Sequence, residues 1–267
     1  MNSLSQIHKD VNIKFLFKKL NTIGKKLTLN QSSIKWKEIL NKEKFQTYAD
    51  IFVYNEIRKY LDNLKLNYPI YSEENLPKYK KDNSYWLIDP IDGTSSWYYG
   101  YQGFVIQLAL IIENKPIFGL IHWPNKNLDW FCDSSGIIYQ NNKKLINKIN
   151  LKKNQIRLID NYPSPNQFLK SMWSLLNNPK YIECGSIGLK AMFVALSRAD
   201  LFIKETYFED WDIAPLLTLT EKLPSFYILD FKLNKIKLNN FKTHKNGLIV
   251  CRDFKIAKKV YTFINNK

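Results

Sequence analysis

Two carboxylates and a hydroxyl lie close together in one short segment of the chain. Asp89 and Asp92 are three residues apart, and Thr94 follows two residues later. A proline and a glycine within this segment favour a turn, and an apolar run over 85–88 leads directly into it. Mg²⁺ prefers oxygen ligands and is commonly held by a few carboxylates together with substrate phosphate. The pattern predicts a strand that ends in a site for divalent cations and phosphate; the alternative is an ordinary turn.

Three other acidic segments carry weaker signals. Glu73 and Glu74 follow a short apolar segment about fifteen residues upstream, at the end of a predicted strand. Asp212 opens the apolar, helix-like run 213–219, and Asp50 opens a segment with helical apolar spacing. Each has an ordinary alternative, because paired acids are usually solvated and single acids in a first helical turn usually act as caps.

The order of these four segments resembles the inositol monophosphatase superfamily. The residues that carry the resemblance are Thr47-x-Ala49-Asp50, Ser72-Glu73-Glu74, Asp89-Pro90-Ile91-Asp92-Gly93-Thr94 and Trp211-Asp212-x-Ala214. The superfamily includes inositol monophosphatases, 3′(2′),5′-bisphosphate nucleotidases, relatives of fructose-1,6-bisphosphatase and one class of histidinol phosphatase. The resemblance implies an α/β (α+β) fold of five alternating layers, α-β-α-β-α, as in sugar phosphatases. Apolar residues at helical spacing predict an N-terminal helix over 4–29. The alternation of strands and helices predicted over 156–230, which includes a helix over 165–177, fits this class.

The resemblance also implies a set of metal ligands and catalytic residues. The implied metal ligands are Glu73, Asp89, the backbone carbonyl of Ile91, Asp92 and Asp212, with Asp89 shared between ions. The implied catalytic residues are Asp50, Glu73 and Thr94, which orient and polarise the attacking water. Two or three Mg²⁺ ions are expected, and Glu74 is expected to support the ligands. The usual Lys-x-Asp loop is replaced here by Asn41-Lys42-Glu43-Lys44-Phe45, which leaves the third ion open.

The substrate pocket is expected between the two halves of the chain. The implied substrate-binding residues are Gly93, Thr94, Gly185, Ser186, Lys190 and Asp212. Backbone N–H groups of Gly93 and Thr94 would face the phosphate, and Lys190 would suit a second phosphate as a point charge. Ser186 has the alternative of a simple helix N-cap, and Lys190 that of one more lysine in a lysine-rich chain. The aromatic residues at 97–101 would either stack on a base or pack a loop.

Length, charge and cysteine content limit the other functions. The 267 residues, 45% hydrophobic, allow two halves, predicted as 1–150 with the metal site and 151–267 completing the pocket. The net charge of +16 is spread along the sequence, so we expect no nucleic-acid partner but an attraction for anionic substrates. The three widely spaced cysteines favour a reducing, cytoplasmic location, and the most apolar stretch, 104–121, is too polar in places to span a membrane.

The sequence therefore predicts a Mg²⁺-dependent phosphomonoesterase that acts on a small phosphorylated metabolite, alone or as a homodimer. An inositol phosphate or a 3′,5′-bisphosphate nucleotide is the expected substrate. Histidinol phosphate and fructose 1,6-bisphosphate are alternatives. A protein of another class, which keeps the fold but only binds polyanions, is the remaining alternative.

Overall fold

A seven-stranded sheet carries the acidic turn. In the computed structural model, which describes residues 11–64, 66, 68–76, 82–133, 135, 137–145, 155–220 and 222–266, the sheet has the order β3-β4-β5-β6-β7-β8-β9. Its strands are β3 Ile70–Ser72, β4 Tyr85–Asp92, β5 Val105–Ile112, β6 Lys115–Trp123, β7 Leu128–Asp133, β8 Ile138–Gln140 and β9 Lys143–Lys144. Only β3 and β4 pair in parallel. Every residue of β4 is buried, which explains its continuous apolar run.

Two helices cover one face of this sheet. They are α1 Ile13–Leu29 and α2 Tyr48–Leu61, and their apolar sides share a core with Trp86 and Ile88 of β4. A small hairpin, β1 Ile39–Asn41 and β2 Gln46–Thr47, joins them. The predicted N-terminal helix thus ends as expected, whereas its residues 4–10 lie outside the described part of the chain.

A second sheet of five strands is built from the later part of the chain. Its order is β11-β10-β12-β14-β13, from β10 Arg157–Asp160, β11 Lys180–Glu183, β12 Leu201–Lys204, β13 Tyr227–Leu229 and β14 Leu248–Cys251. The strands β11, β10 and β12 are parallel, and β14 runs antiparallel to both of its neighbours. This sheet therefore has three adjacent strands whose carboxyl ends meet at one edge.

Helices between and outside the two sheets complete five layers. Those between the sheets are α5 Ile187–Ala195 and α6 Asp210–Leu217, which share a core with residues of both sheets. Those on the outer face of the second sheet are α4 Gln167–Ser171 and α7 Phe254–Asn265. A short helix, α3 Thr94–Tyr98, follows the acidic turn. The layered fold expected from the resemblance is confirmed.

Some predicted elements differ from the structure. The helix expected over 165–177 is shortened to α4, and both β14 and α7 were not predicted. The proposed division of the chain at residue 150 lies in 146–154, outside the described residues, and stays a prediction. None of the helices in the described part of the chain has the length and apolar character needed to cross a bilayer.

A glycine lets α6 lie directly on the first sheet. A Cβ atom added to Gly119 of β6 would lie 2.0 Å from the carbonyl oxygen of Pro215 in α6. Any larger residue must therefore push α6 away from the strands beneath it. Because α6 carries Asp212 and the sheet carries Asp89, this contact sets the distance between two of the predicted metal ligands.

We expect Gly119→Ala to lower the free energy of unfolding by about 3 kcal/mol, the upper end for overpacking, because the added methyl group meets backbone atoms that cannot rotate away. Gly100→Ala is the control, since Gly100 has a φ of 88° but nothing within 4 Å of an added Cβ. That variant should cost only the left-handed backbone penalty, about 1–2 kcal/mol. Urea denaturation measures both, and equal effects would contradict the close approach.

Candidate active site

Three carboxyl groups from distant parts of the chain meet between the two sheets. Oxygen atoms of Asp89, Asp92 and Asp212 all lie within 4.8 Å of one another. In a regular strand, Asp89 and Asp92 would point to opposite faces. Here the strand register shifts, so that Asp89 lies opposite Gln107 but Asp92 lies opposite Val105, which is a β-bulge. The bulge turns both side chains toward Asp212, in the first turn of α6.

Asp92 is held by the N-terminus of α5. Its Oδ2 atom accepts hydrogen bonds from the Ser186 hydroxyl at 2.6 Å, the Gly188 N–H at 2.6 Å and the Gln107 amide at 2.7 Å. Its Oδ1 atom accepts one from the Ile187 N–H at 3.0 Å. These donors, and the partial positive charge of a helix N-terminus, stabilise the carboxylate form. The bonds also fasten the first sheet to the second half of the chain.

Asp89 has a different environment. It is 2% exposed, and its Oδ1 atom has no hydrogen-bond partner among the described residues. A buried carboxylate oxygen without a partner is unfavourable, because it loses its hydration and gains nothing in return. The site therefore fits a divalent cation, which would supply the missing positive charge to an oxygen ligand.

The acids raise one another's pKa values. Burial, and then repulsion by neighbouring carboxylates, holds the pKa of Asp89 and that of Glu73 well above their usual ranges. For Asp212, burial and the charge of Asp92 raise the pKa to about 8. Glu73 thus belongs to the same electrostatic cluster, although it is not one of the three acids within 4.8 Å. The cluster cannot carry its full negative charge at neutral pH without added positive charge.

Asp50 and Thr94 form a hydrogen-bonded pair beside this cluster. The Oδ2 atom of Asp50 accepts the Thr47 N–H at 2.7 Å and the Thr47 hydroxyl at 2.6 Å, as in a capping box. The Thr94 Oγ1 atom lies 3.1 Å from Asp50 Oδ1 and 2.8 Å from the carbonyl oxygen of Ile91. Burial outweighs these bonds and raises the pKa of Asp50 to about 6. Asp50 can therefore gain or lose a proton near neutral pH.

A lysine from the β1–β2 hairpin reaches the acidic cluster. The Lys44 ammonium group lies 3.4 Å from the carbonyl oxygen of Glu73. Burial and the charge of Asp50 raise the pKa of Glu74 to about 8, against the opposing charge of Lys44. The hairpin stands where the family resemblance leads one to expect a Lys-x-Asp loop. Instead of an aspartate, it brings the positive charge of Lys44 to this edge of the cluster.

A model of the inositol monophosphatase family matches residues 9–222 of the sequence. The chain belongs to this family. The resemblance predicted from four acidic segments is thereby confirmed.

Individual proteins are similar to this chain at low to moderate sequence identity. The 3′(2′),5′-bisphosphate nucleotidase CysQ of Haemophilus influenzae is 28% identical over 176 residues, which are 63% of this chain and 65% of that protein, a little under two thirds of its length. The fructose-1,6-bisphosphatase/inositol-1-monophosphatase of Thermotoga maritima is 24% identical over 269 residues, 96% of this chain and 99% of that one. A solved IMPase/NADP phosphatase, complexed with NADP and Ca²⁺, has a TM-score of 0.77 at 20% identity, covering 97% of this chain and 96% of its own. The structural likeness supports the family's fold.

Within this inositol monophosphatase fold, two predicted pocket glycines permit close backbone contacts. Gly93 has a φ of 90°, and an added Cβ would lie 3.2 Å from the carbonyl oxygen of Gly103. A Cβ on Gly185 would lie 1.8 Å from the Ser96 hydroxyl oxygen. Both glycines are thus required where the turn after β4 meets the loop after β11.

Ser186 has a structural role in this family member. It is completely buried, its hydroxyl donates to Asp92, and its oxygen accepts the Leu189 N–H at 2.9 Å as a helix N-cap. The alternative of a simple N-cap therefore describes its local geometry. The implied role of Ser186 as a substrate-binding residue stays a prediction.

Lys190 is also more enclosed than the sequence suggested. It is 2% exposed, its ammonium group lies 3.3 Å from Asp160 Oδ1, and it donates a hydrogen bond to the Asn161 side chain. Its charge is thus already paired inside the protein. These internal partners favour the alternative of a structural lysine, and the role of Lys190 toward a second phosphate stays a prediction.

The aromatic residues after the acidic turn separate into core and surface. Trp97 is completely buried and donates its indole N–H to the Leu27 carbonyl at 3.1 Å, so it is a packing residue. Tyr99 is 68% exposed. Tyr101 stacks on Tyr162 with ring centroids 4.5 Å apart, beside the loop that carries Gly185.

Sequence reasoning missed Gln107. Its amide donates to Asp92 and, at 3.1 Å, to the backbone carbonyl of Asp212, so that it connects two predicted metal ligands from different elements. The available signal was a single polar residue in a strand that is otherwise apolar and buried on both faces. A buried amide in such a strand must find hydrogen-bond partners, and here these partners are in the site.

We expect metal-free protein to lose stability as the pH rises from about 4 to about 8. In this interval folded Asp212, whose pKa is raised from 3.8 to about 8, keeps a proton that the unfolded chain has released. The folded state therefore binds more protons, and the free energy of unfolding falls with increasing pH. Mg²⁺ should reverse the trend, since it binds the deprotonated folded site.

Denaturation in EDTA and in Mg²⁺ across this pH range measures the effect. Asp212→Asn is the control, because it removes one of the titrating groups and should reduce the slope in EDTA. A slope that neither Mg²⁺ nor Asp212→Asn changes would contradict the electrostatic origin.

Proposed function

We propose that this chain is a metal-dependent phosphatase that hydrolyses the monoesters of small phosphorylated metabolites. The single observation that carries the proposal is that buried Asp89 and Asp92 meet the half-buried Asp212, with carboxylate oxygens within 4.8 Å of one another. Divalent cations would neutralise these carboxylates and, in the same place, bind an anionic ester. Family membership and the phosphatase names of the two curated relatives support the reaction class.

The donor atoms suit Mg²⁺. Glu73, Asp89, Asp92 and Asp212 would hold the cations through carboxylates, with the backbone carbonyl of Ile91 as a further oxygen ligand. The buried, unpartnered Oδ1 atom of Asp89 supports its place as the shared ligand. When bound, the ions would activate a water molecule and stabilise negative charge on the phosphoryl group.

We propose two ions rather than three. The hairpin that would complete a third site brings Lys44 instead, whose charge acts on Glu74 and Glu209. A lysine at that edge already supplies positive charge, and it would repel a further divalent cation at short range.

The pair of Thr94 and Asp50 would control the attacking water. The Thr94 hydroxyl lies between Asp50 and the Ile91 carbonyl, so its oxygen has a fixed position from which it can accept a proton from water. Asp50, with its pKa raised to about 6, is mostly ionised at neutral pH and basic enough to receive the proton that Thr94 passes on. Glu73 would assist by its charge, and the backbone N–H groups of Gly93 and Thr94 would contact the phosphate.

The substrates proposed are small phosphate esters bound where the turn at Gly93 meets the loop at Gly185. The Haemophilus relative is named as a 3′(2′),5′-bisphosphate nucleotidase, and the Thermotoga relative as an enzyme for fructose 1,6-bisphosphate and inositol 1-phosphate. For this chain we therefore propose an inositol phosphate, a sugar bisphosphate or a bisphosphate nucleotide as the class.

We expect Thr94→Ala to lower kcat by about a hundredfold to a thousandfold, the usual cost of one preorganised contact to the reacting groups. The KM should change little, because the hydroxyl contacts the attacking water rather than the ester. Steady-state kinetics with p-nitrophenyl phosphate measure this, and Thr94→Ser, which keeps the hydroxyl, should recover most of the rate. A Thr94→Ser variant as slow as Thr94→Ala would contradict the assigned role.

We expect turnover of p-nitrophenyl phosphate to require Mg²⁺ and to stop in EDTA. Asp89→Asn should lose more activity than Thr94→Ala, since it removes the proposed shared ligand, and it should also lose the stabilisation by Mg²⁺ in thermal melting. Asp62→Asn, at the exposed C-terminal end of α2, controls for the same change in net charge. Absence of metal-dependent turnover in the wild type, together with tight binding of polyanions, would favour the non-catalytic alternative.

A further inference from the structure

The carboxyl ends of three parallel strands form one wall of the proposed pocket. Leu158 of β10 pairs with Leu201 of β12, so counting along both strands places Asn161 beside Lys204. On the other side, the Cys184 N–H after β11 donates to the carbonyl oxygen of Asp160 at 2.7 Å. Ligands of open α/β sheets commonly bind outside such carboxyl ends. The loop after β11 continues to α5, whose N-terminus holds the metal-site residue Asp92.

One lysine at this wall is already paired inside the protein. The ammonium group of Lys190 contacts Asp160 and Asn161, and it lies 4.9 Å from the centroid of the Phe202 ring. Two of the three N–H donors of the ammonium group are thus used inside the protein, and its charge lies over an aromatic ring. Lys190 therefore holds the strand ends together and offers little to a ligand.

A second lysine at the same wall is differently placed. Lys204 ends β12 two residues after Phe202, so both side chains leave the same face of the sheet, the face toward α5. The charge of Lys204 interacts with the carboxylates of Asp212 and Asp92 and with the ammonium of Lys190. The Lys204 ammonium group therefore lies within electrostatic range of both Lys190 and the acidic cluster.

Lys204 lacks a direct partner. It is partly buried, and no hydrogen bond or ion pair joins its ammonium group to any residue that the structure describes. Burial lowers its pKa, because a partly desolvated cation without a partner is unfavourable. Under the proposed function, divalent cations would neutralise Asp92 and Asp212, and the ammonium group of Lys204 would then have even less counter-charge.

We propose that the substrate carries two phosphate groups, and that Lys204 binds the phosphate that is not hydrolysed. This inference rests on the proposed function. Lys190 is a positioning residue that fixes Asp160 and Asn161 at the strand ends. The ammonium group of Lys204 gains a charge-assisted hydrogen bond only with a doubly phosphorylated substrate.

The test compares two matched pairs of substrates that differ by one phosphate group. They are adenosine 3′,5′-bisphosphate with adenosine 3′-monophosphate, and fructose 1,6-bisphosphate with fructose 1-phosphate. Wild-type protein in Mg²⁺ should prefer the bisphosphate of at least one pair. Lys204→Met should lower the ratio of kcat/KM for that bisphosphate to kcat/KM for its monophosphate by about tenfold or more, mainly through KM.

Two variants serve as matched controls. Lys204→Arg keeps the charge and should retain most of the ratio. Lys259→Met removes the same charge from an exposed position on α7 and should leave the ratio unchanged. Circular dichroism melting shows whether each variant is folded. Equal loss on both members of a pair, or a ratio that Lys204→Met does not change, would overturn the inference.

A binding measurement separates this inference from the proposed reaction. Calorimetric titration of Thr94→Ala protein with the two bisphosphates, with and without Lys204→Met, gives Kd without depending on turnover. Weaker binding on loss of Lys204 supports the inference even if the wild type shows no metal-dependent turnover, an outcome that would reject only the proposed function. Unchanged bisphosphate affinity, or no binding by either protein, would overturn the inference.

Discussion

The burial of like charges between two sheets is the constraint on which the rest of this structure depends. Asp89, Asp92 and Asp212 are enclosed within a few ångströms of one another, and Glu73 and Asp50 add to the same negative field. Such a cluster is unfavourable in a folded protein unless protons, hydrogen-bond donors or cations compensate it. The protein supplies hydrogen-bond donors to some of these acids and leaves others without, and this difference separates the carboxylates that the protein itself orients from those that depend on added positive charge.

Asp92 and Asp89 show that division within one turn. Four donors hold Asp92, three of them from the start of α5, so its carboxylate joins the first sheet to the second half of the chain. Asp89 keeps an oxygen without a partner. The site consequently exists only when both sheets have folded and docked. Because a cation would bind the folded site and not the separated segments, metal binding and folding are thermodynamically linked.

The sequence predicted local features well and tertiary pairings poorly. The turn after β4 was predictable because an apolar run ends in turn residues, and Asp50 and Asp212 were predictable as first-turn acids because each is the third residue of its helix and closes a capping box. The cap alternatives were thus correct for these two acids without excluding a second role.

The meeting of the four acidic segments in one site was predictable only from the family resemblance. The partner of Lys190 could not be predicted, since Asp160 lies 30 residues away on a neighbouring strand. The missed helix α7 had a visible helical spacing at Ile256, Val260 and Ile264.

Local pairing of charges, rather than the net charge of +16, decides what such a pocket can recognise. Charges on the exposed surface are screened over about 8–10 Å at physiological ionic strength, so they attract every anion with little discrimination. A partly buried charge is screened less, and it distinguishes ligands only if no internal group already neutralises it. Lys190 and Lys204 lie at the same sheet edge and differ in this one respect, because Asp160 pairs with the first and no described residue pairs with the second. The acid at the end of β10 therefore determines which of the two lysines can take part in recognition.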